Sequence, residues 1–300
     1  MRSVTVHVPA TTANLGPGYD CLGLALGLHN EITLALADEP GVSIDGEGAE
    51  SLPRDRTHLV LAAAQAAAAA VGERLPVLEL RQHNRIPLAR GLGSSSAAIV
   101  GGIVASNELL GFGLSEREML DVASAVEGHP DNVAPALLGG LTVCCTLESG
   151  EVLVERLDVA RGLSCVVAIP DFEVATHDAR RALPDTIDHA DGVFNLCRVG
   201  LIVAALVSGD FSVLNEAMRD RLHQPYRAHL VPGMDDAIEA ALEAGAHGAA
   251  LSGSGPTVAA FVSDSGEEVG AAMVNAFRRA GTTALSRALS LSAEGARIVM

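Results

Sequence analysis

The 300-residue chain carries a formal net charge of −17, and its 20 lysine and arginine positions are all arginine. A strongly acidic chain is poorly suited to a nucleic-acid backbone or an anionic membrane, so we expect neither as a partner. The lack of lysine excludes mechanisms that need a Schiff-base lysine or a lysine that clamps phosphate. With 49% hydrophobic residues, the chain can bury one large core or two modest ones.

The cysteines form an odd set of 5 without CxxC spacing, so zinc and disulfide roles are minor alternatives. We interpret them as reduced core residues of a cytoplasmic protein. Residues 2–8 alternate like a strand and lack the apolar region of a signal peptide. The longest apolar stretch, 133–145, is interrupted by proline and glycine and is too short to span a bilayer.

Taken in chain order, the hydrophobic periodicity predicts a two-lobed α+β protein that divides near residue 160, into 1–160 and 161–300. Alternating valines predict a first strand at 4–8, followed by a polar loop over 9–20. Further strands are predicted at 32–36, 77–80, 141–147, 152–157, 165–169, 249–251, 258–262 and 285–289. Helices are predicted at 59–71, 97–110, 116–127, 176–183, 193–207, 234–244 and 267–280.

Three details sharpen these predictions. Ser115 and Glu118 form a capping box at the start of the helix over 116–127, which ends in a loop over 128–132. The Gly101–Gly102 pair predicts close packing of its helix against a neighbour. The helix over 193–207 is expected to be buried, because it is almost entirely apolar.

Residues 87–98 place two glycines and three serines directly before an apolar run at a predicted helix start. Glycines allow the backbone to approach a ligand closely, and the first turn of a helix offers unpaired N–H groups to an anion. No lysine follows, so the segment is not the common GxxxxGK[ST] pattern. It predicts a phosphate site that works without lysine. The alternative is an ordinary helix entry capped by Ser94 or Ser95.

Residues 127–132, Glu-Gly-His-Pro-Asp-Asn, gather four polar side chains at the end of a predicted helix. Magnesium takes oxygen ligands and often only one or two from protein, so Glu127 with a serine hydroxyl from the 87–98 loop would suffice. The alternative is a helix terminus in which His129 favours the dipole and the next residues form a turn.

Two further segments are polar and glycine-rich. Within 9–20, Asn14 and Asp20 could present an amide and a carboxylate to a small ligand, although a strand-connecting turn has the same composition. Residues 252–256, Ser-Gly-Ser-Gly-Pro, permit either close backbone approach to a bound group or a plain hairpin turn.

Together and in this order, the segments at 9–20, 87–97 and 251–256 resemble the three motifs of the GHMP kinase superfamily. Within it the chain looks most like the homoserine kinases. That likeness rests on residues 9–20 and 127–135, on Thr176 with Arg180, and on the Gln-Pro-Tyr-Arg segment that ends at Arg227. The absence of lysine fits this likeness, because the related mevalonate kinases carry a lysine beside an aspartate base.

The resemblance implies a GHMP kinase fold, with an N-terminal α+β lobe like a ribosomal protein domain and a ferredoxin-like C-terminal lobe. It implies transfer of a phosphoryl group from ATP, with Mg²⁺, to the side-chain hydroxyl of L-homoserine, in threonine biosynthesis and in the cytoplasm. It also favours a homodimer. The alternatives are a GHMP kinase acting on shikimate or an isoprenoid alcohol, a regulator that has lost catalysis, and a plain nucleotide-binding scaffold.

The resemblance also implies roles for individual residues. The loop that wraps the ATP phosphates comprises Pro87, Leu88, Ala89, Arg90, Gly91, Leu92, Gly93, Ser94, Ser95, Ser96 and Ala97. Ser95 and Glu127 are the implied magnesium ligands. The implied amino-acid pocket is lined by Asn14, Asp20, His129, Asp131, Arg180 and Arg227. Asp20 suits an ammonium group, and the two arginine forks suit a carboxylate.

The implied catalytic group comprises His129, Asn132 and Thr176, with Thr176 beside the substrate hydroxyl. Asn132 stands near the position where base-using relatives place an aspartate, and an amide cannot accept that proton. Because phosphoryl transfer depends mostly on positioning and charge stabilisation, we hypothesise that the hydroxyl loses its proton late, to phosphate or solvent. His129 is the fallback base. The other histidines are interpreted as surface or structural residues: His7, His29, His58, His83, His177, His189, His223, His229 and His247.

Overall fold

The computed structural model describes residues 2–299 as two β-sheets with helices packed on them. The strands are β1 (Ser3–Ala13), β2 (Leu22–Leu36), β3 (Gly41–Gly46), β4 (Leu78–Asn84), β5 (Leu141–Thr146), β6 (Val152–Leu157), β7 (Ser164–Pro170), β8 (Gly248–Leu251), β9 (Val258–Val262), β10 (Ala284–Ser290) and β11 (Arg297–Val299). The helices are α1 (Leu59–Ala70), α2 (Ser94–Leu110), α3 (Glu116–Glu127), α4 (Pro130–Leu138), α5 (Thr176–Arg181), α6 (His189–Ser208), α7 (Leu214–Ala217), α8 (Gln224–Arg227), α9 (Met234–Glu243) and α10 (Glu267–Arg279).

The larger sheet has the strand order β11-β1-β2-β4-β3, and β5 pairs with both β2 and β6. Helix α2 packs across β1 and β2 and lies against α1. An added Cβ at Gly101 would collide with the side chain of Ile32, and one at Gly102 with the carbonyl of Val60. The close packing predicted for the glycine pair is therefore confirmed.

Strand β1 runs five residues further than the predicted opening strand, to Ala13. The register of its pairing with β2 shifts between Pro9 and Ala10, so the proline sits at an irregularity rather than ending the strand. The strand thereby carries Thr11 and Thr12, both buried, directly to the turn that holds Asn14. The predicted loop over 9–20 is wrong in its first half for this reason.

The smaller sheet has the order β10-β7-β9-β8, and every neighbouring pair is antiparallel. Helix α9 precedes β8, and α10 connects β9 to β10. This is the βαββαβ arrangement of ferredoxin-like lobes, so that part of the predicted fold is confirmed. At the end of the chain, β11 returns to the larger sheet and pairs with β1.

Helix α6 was expected to be buried, and that expectation is wrong. Only 22% of the residues in its most apolar 18-residue stretch are buried, and Leu196 is 72% exposed. Among residues 2–299, α6 is the single helix whose length and mean hydropathy of 1.7 would permit it to cross a membrane, a test that core helices also pass. Periodicity could not reveal the exposure, because apolar residues surround the helix on several faces.

The cysteines also differ in part from expectation. Cys144 and Cys165 are buried, whereas Cys145 and Cys197 are exposed and are not core residues. Cys145 alternates with Cys144 along β5, so the two thiols face opposite sides of the sheet. All five carry free thiols.

Candidate active site

A cleft of about 440 Å³ gathers the polar segments that the sequence singled out. Its lining includes these predicted site residues: Asn14, Asp20, Leu88, Ala89, Arg90, Gly91, Gly93, Ser94, Ser95, Glu127, His129, Asp131, Asn132, Thr176, Arg180 and Arg227. Four residues of the predicted phosphate loop do not line it: Pro87, Leu92, Ser96 and Ala97. Leu92, Ser96 and Ala97 are buried beneath the loop and support it from the core.

The phosphate loop enters helix α2 through Gly93, which has a φ of 70°. An added Cβ there would meet the hydroxyl of Thr11, so glycine is required by both the backbone angle and the space. Gly93 is the N-cap and provides no side chain, which leaves the first N–H groups of α2 open to the cleft. The alternative of a serine cap at Ser94 or Ser95 is therefore wrong. An anion at this point would also gain from the helix dipole.

The Ser-Gly-Ser-Gly-Pro segment at 252–256 supports the phosphate loop from the opposite side. The Ser252 hydroxyl lies 2.6 Å from the Gly91 carbonyl and 2.8 Å from the Thr12 hydroxyl. The hydroxyls of Ser254 and Thr176 lie 3.4 Å apart at the mouth of the cleft. The segment is thus a brace between the two sheets, since Thr12 belongs to β1 and Ser252 follows β8 directly.

Glu127 and two serines of the loop meet although they are far apart in sequence. The Ser95 hydroxyl donates to Glu127 Oε1 at 2.6 Å, and the Ser96 hydroxyl donates to the same oxygen at 2.9 Å. Both bonds end on Oε1, so Oε2 remains available to a cation. A carboxylate and a hydroxyl are hard oxygen ligands, and this donor set fits Mg²⁺.

The predicted loop over 128–132 is in fact a turn at Gly128–His129 followed by helix α4, which begins at Pro130. Proline is favoured in the first helical turn because that position needs no N–H donor. The sequence analysis missed the helix because Pro135 and Gly139 interrupt its apolar pattern. Helix α4 matters for the site, because its N-terminus is the second helix N-terminus at the cleft. Asp131 and Asn132 lie in its first turn and line the cleft.

His129 and Asp131 form a hydrogen-bonded pair, with 2.6 Å between Nδ1 and Oδ1. Burial lowers the pKa of His129, but the hydrogen bond and charge of Asp131 outweigh that effect and raise the pKa above its ordinary value. Beside them, the Thr11 hydroxyl donates to Asn132 Oδ1 at 2.7 Å. Asn132 can therefore offer its N–H₂ group to an oxygen in the cleft, and it has no proton-accepting role.

Arg180 and Asp20 form a two-bond ion pair, with Nη2–Oδ1 at 2.7 Å and Nη1–Oδ2 at 3.0 Å. Arg180 Nη1 also donates to the Tyr19 hydroxyl at 2.9 Å. Burial lowers the pKa of Arg180, but its hydrogen bond to Asp20 and the charge of that carboxylate raise it above the ordinary value. Tyr19 was not among the predicted residues, and it lies between the two arginines of the cleft.

Arg227 is 2% exposed, and among residues 2–299 no carboxylate forms an ion pair with it. Its Nε donates to the Ala179 carbonyl at 3.0 Å, and its Nη1 to the Gly253 carbonyl at 3.1 Å. Burial lowers its pKa, but a guanidinium keeps its proton in a protein. A buried cation without a counter-charge is costly, so this position favours an anionic ligand.

Both the N–H₂ group and the oxygen of the Asn14 side-chain amide form hydrogen bonds within the protein. Its Nδ2 donates to the Gly253 carbonyl at 3.0 Å, and its Oδ1 accepts from the Asp20 N–H at 3.1 Å. Asn14 and Asp20 have φ angles of 69° and 55°, a conformation that asparagine and aspartate tolerate better than most residues. Asn14 lines the cleft and also holds the turn that presents Asp20.

The sequence analysis missed one part of the cleft lining, which the residue before α1 and two residues of β4 provide. Here His58, Gln82 and Asn84 line the wall and are 2–5% exposed. Their atoms Nε2, Oε1 and Oδ1 are buried without a hydrogen-bond partner among the described residues. A signal was present in β4, whose inward face changes from leucine at 78 and 80 to amides at 82 and 84.

One group of three metal-ligating side chains lies in the cleft: Asp20, His129 and Asp131, with ligand atoms within 4.8 Å of one another. Asp20 is already paired with Arg180, and Asp131 is already paired with His129. The remaining lone pairs of two carboxylates favour a hydrogen-bonding cation such as an ammonium group over a divalent ion, which needs its own open ligand set.

Comparison with known proteins places this cleft in a family. The GHMP kinase N-terminal domain matches residues 58–140, and the GHMP kinase C-terminal domain matches residues 202–279. The chain is therefore a GHMP kinase, and the two-lobed fold expected from the three motifs is confirmed.

Individual relatives show which branch of the GHMP kinases the chain belongs to. The chain is 45% identical to the homoserine kinase of Desulfitobacterium hafniense, with 99% of this chain and 100% of the relative covered. It is 47% identical to that of Moorella thermoacetica, with 98% and 99% covered. The crystal structure of homoserine kinase from Cytophaga hutchinsonii superposes with a TM-score of 0.88 at 32% identity, covering 100% of this chain and 98% of that one. The chain belongs to the homoserine kinase family.

Proposed function

We propose that this enzyme transfers the γ-phosphoryl group of ATP to the side-chain hydroxyl of L-homoserine and releases O-phospho-L-homoserine, a step of threonine biosynthesis. One observation carries the choice of acceptor. Two guanidinium groups, Arg180 and Arg227, and two carboxylates, Asp20 and Asp131, line the cleft beside the phosphate loop. An α-amino acid carries one carboxylate and one ammonium group, and this mixed set of charges suits both. An isoprenoid alcohol or a sugar has no ammonium group for Asp20.

The donor side of the proposal rests on the phosphate loop. The open N–H groups at the start of α2 suit the phosphates of ATP, and the absence of lysine leaves backbone amides and magnesium to balance their charge. Ser95 and Glu127 are the proposed magnesium ligands, and the ion would neutralise charge on the transferring phosphoryl group. The polar atoms of His58, Gln82 and Asn84, which are buried without a hydrogen-bond partner among the described residues, suit a heterocyclic base bound in the cleft.

The proposed chemistry needs orientation more than a base. Asn132, held by Thr11, donates an N–H toward the reacting oxygens, and Thr176 lies at the mouth of the cleft beside the proposed hydroxyl position. The hydroxyl loses its proton late, to phosphate or solvent. His129 is the fallback base, but its raised pKa keeps it protonated to higher pH and weakens it in that role.

A coupled assay of ADP release tests the proposal across four acceptors: homoserine, shikimate, mevalonate and galactose. We expect release that depends on homoserine, with the other three at the background rate of the Glu127→Ala variant. Preference for another acceptor would replace the proposed substrate. Tight binding of ATP and homoserine in calorimetry without turnover would instead indicate a regulator, and ATP binding without any acceptor a nucleotide-binding scaffold.

We also propose that the protein is a cytoplasmic homodimer and that a second copy covers α6. Its exposed apolar residues include Val193, Leu196, Leu201 and Val207. Within a chain of net charge −17, a long helix with a single charged residue after its first turn, Arg198, is the surface where two copies would repel least. Multi-angle light scattering should give a molar mass of twice the chain mass for the wild type, and the Leu196→Glu variant should give the mass of a single chain. A monomeric wild type would contradict the proposal.

A further inference from the structure

His223 is fully buried beside the proposed acceptor pocket, and the sequence analysis interpreted it only as a surface or structural residue. It precedes helix α8, whose last residue is Arg227. Its Nε2 lies 2.6 Å from the Gly16 carbonyl, and its Nδ1 lies 3.2 Å from Arg227 Nη1. One imidazole therefore links the turn that carries Asn14 and Asp20 to the second arginine of the cleft.

The two contacts fix where the proton of His223 lies. A carbonyl oxygen only accepts, so Nε2 must carry the hydrogen that is shared with Gly16. A guanidinium only donates, so Nδ1 must present a lone pair to Arg227. The ring is thus neutral and in a single tautomer. Burial lowers the pKa of His223, in agreement with a neutral ring.

A buried carboxylate holds the segment around His223 in place. Asp220 accepts hydrogen bonds from the backbone N–H groups of residues 222, 223 and 224, at 2.7–3.0 Å, and from Asn195 Nδ2 at 2.7 Å. Asn195 Nδ2 in turn donates to the Pro17 carbonyl at 3.0 Å. The turn at 14–20 and the start of α8 are thereby connected twice, once through Asn195 and once through His223.

The position of Arg227 depends on neutral acceptors only. Nε and Nη1 are held by Ala179, Gly253 and His223, and the guanidinium lies 5.2 Å from the centroid of the Tyr19 ring; among residues 2–299 no carboxylate binds Nη2. His223 is the one side chain in this set, and it also fixes the turn that presents Asp20. A guanidinium that is held on one edge binds a carboxylate with less loss of side-chain entropy.

We propose that His223 is a positioning residue, which holds Arg227 against the Asp20 turn so that the α-carboxylate and the ammonium group of the acceptor are bound in one fixed geometry. This inference rests on the proposed function. It assigns His223 an effect on the recognition of the carboxylate, with no contact to the phosphoryl group or to ATP.

Kinetics with two acceptors separates this role from a merely structural one. Homoserine carries the carboxylate, and 3-aminopropan-1-ol is the same molecule without it. For His223→Gln, which keeps a donor for Gly16 but no acceptor placed at Nδ1, we expect the KM for homoserine to rise ~10-fold or more. The KM for ATP, and kcat/KM for 3-aminopropan-1-ol, should stay within about twofold of wild type. His223→Asn places an oxygen near the Nδ1 position and should recover part of the homoserine KM. His229→Gln, at an exposed histidine, is the matched control.

Equal losses with both acceptors, a raised KM for ATP, or no change in the homoserine KM would each overturn the inference. Nitrogen NMR of the wild-type histidines gives a test without a substitution, should the variants fail to fold. The buried ring must show the neutral Nε2–H tautomer, and an Nδ1–H or doubly protonated ring would also overturn it. If the wild type does not phosphorylate homoserine, the proposed function fails, and the NMR result still decides whether His223 accepts from Arg227.

Discussion

Arg180 and Asp20 bind each other through two parallel hydrogen bonds, and each side chain is about one-third exposed, 35% and 34%. In the proposed pocket they are assigned to opposite ends of one substrate. A zwitterion can replace this internal pair with two new pairs, carboxylate to Arg180 and ammonium to Asp20. An acceptor with only one charge breaks the same pair and leaves one partner unsatisfied, which is costly in a half-buried site.

The first prediction concerns acceptors with a single charge. 4-Hydroxybutanoate lacks the ammonium group and 3-aminopropan-1-ol lacks the carboxylate, and each should show kcat/KM at least ~100-fold below that of homoserine. In Asp20→Asn, the difference between homoserine and 4-hydroxybutanoate should shrink, because the partner of the ammonium group is weakened. Steady-state kinetics with both acceptors checks this. An unchanged ratio in the variant would assign the ammonium group to another residue.

The second prediction concerns the carboxylate side. Arg180→Ala should raise the KM for homoserine ~10–100-fold, since a charge-assisted hydrogen-bonded pair is lost, while the KM for ATP stays near its wild-type value. Arg227→Ala should act in the same direction. Isothermal titration with each substrate separately gives the measurement. Parallel losses of ATP affinity would place these arginines on the donor side instead.

The third prediction uses Ser95 and Ser96 as a matched pair. Both hydroxyls donate to Glu127 Oε1, but only Ser95 lines the cleft. Ser95→Ala and Glu127→Gln should raise the Mg²⁺ concentration needed for half-maximal rate, because each removes a proposed ligand. Ser96→Ala should change it far less, since it removes only support for the carboxylate. Titration of the rate with Mg²⁺ at saturating ATP checks the order. An equal shift for both serine variants would contradict the assignment of Ser95.

The fourth prediction concerns His129, whose pKa is raised by Asp131 despite burial. A raised pKa in the folded state stabilises the fold fully below the ordinary histidine value, ~6.5, and this contribution is lost as pH rises through the folded pKa. The stability that His129 adds relative to His129→Gln should therefore be larger at pH 6 than at pH 9. Urea unfolding at the two pH values measures the difference. A larger contribution at pH 9 would mean that the ring is buried in its neutral form.

The same variant tests the mechanism. If the hydroxyl needs no base, His129→Gln should keep kcat within about tenfold of wild type. Turnover that is abolished while both substrates still bind normally would make His129 the base.

Much of the site could be predicted from the sequence, because its residues lie in short motifs that together resemble those of one kinase superfamily. The phosphate loop and Glu127 meet as expected, and Asp20, His129, Arg180 and Arg227 share one cleft with them. Contacts between distant segments could not be read this way. Nothing in the sequence pairs Thr11 with Asn132, or places His223 between Gly16 and Arg227.

Two fold features escaped prediction for separate physical reasons. Helix α4 was missed because Pro130 was assigned to a loop and because Pro135 and Gly139 interrupt the apolar pattern that follows, although proline suits a first helical turn. Helix α6 was expected in the core because apolar composition indicates burial, yet most of it is exposed. Apolar composition shows that a helix has a face that favours burial. It does not show whether that face packs against the chain's own core or against another molecule.

The most direct test of the central claim is phosphorus NMR of a reaction that contains the enzyme, ATP, Mg²⁺ and L-homoserine. We predict a phosphomonoester signal that grows in step with ADP and that is absent when homoserine or the enzyme is omitted. ADP that forms at the same rate without homoserine, or a phosphorylated product that appears only with another acceptor, would contradict the account.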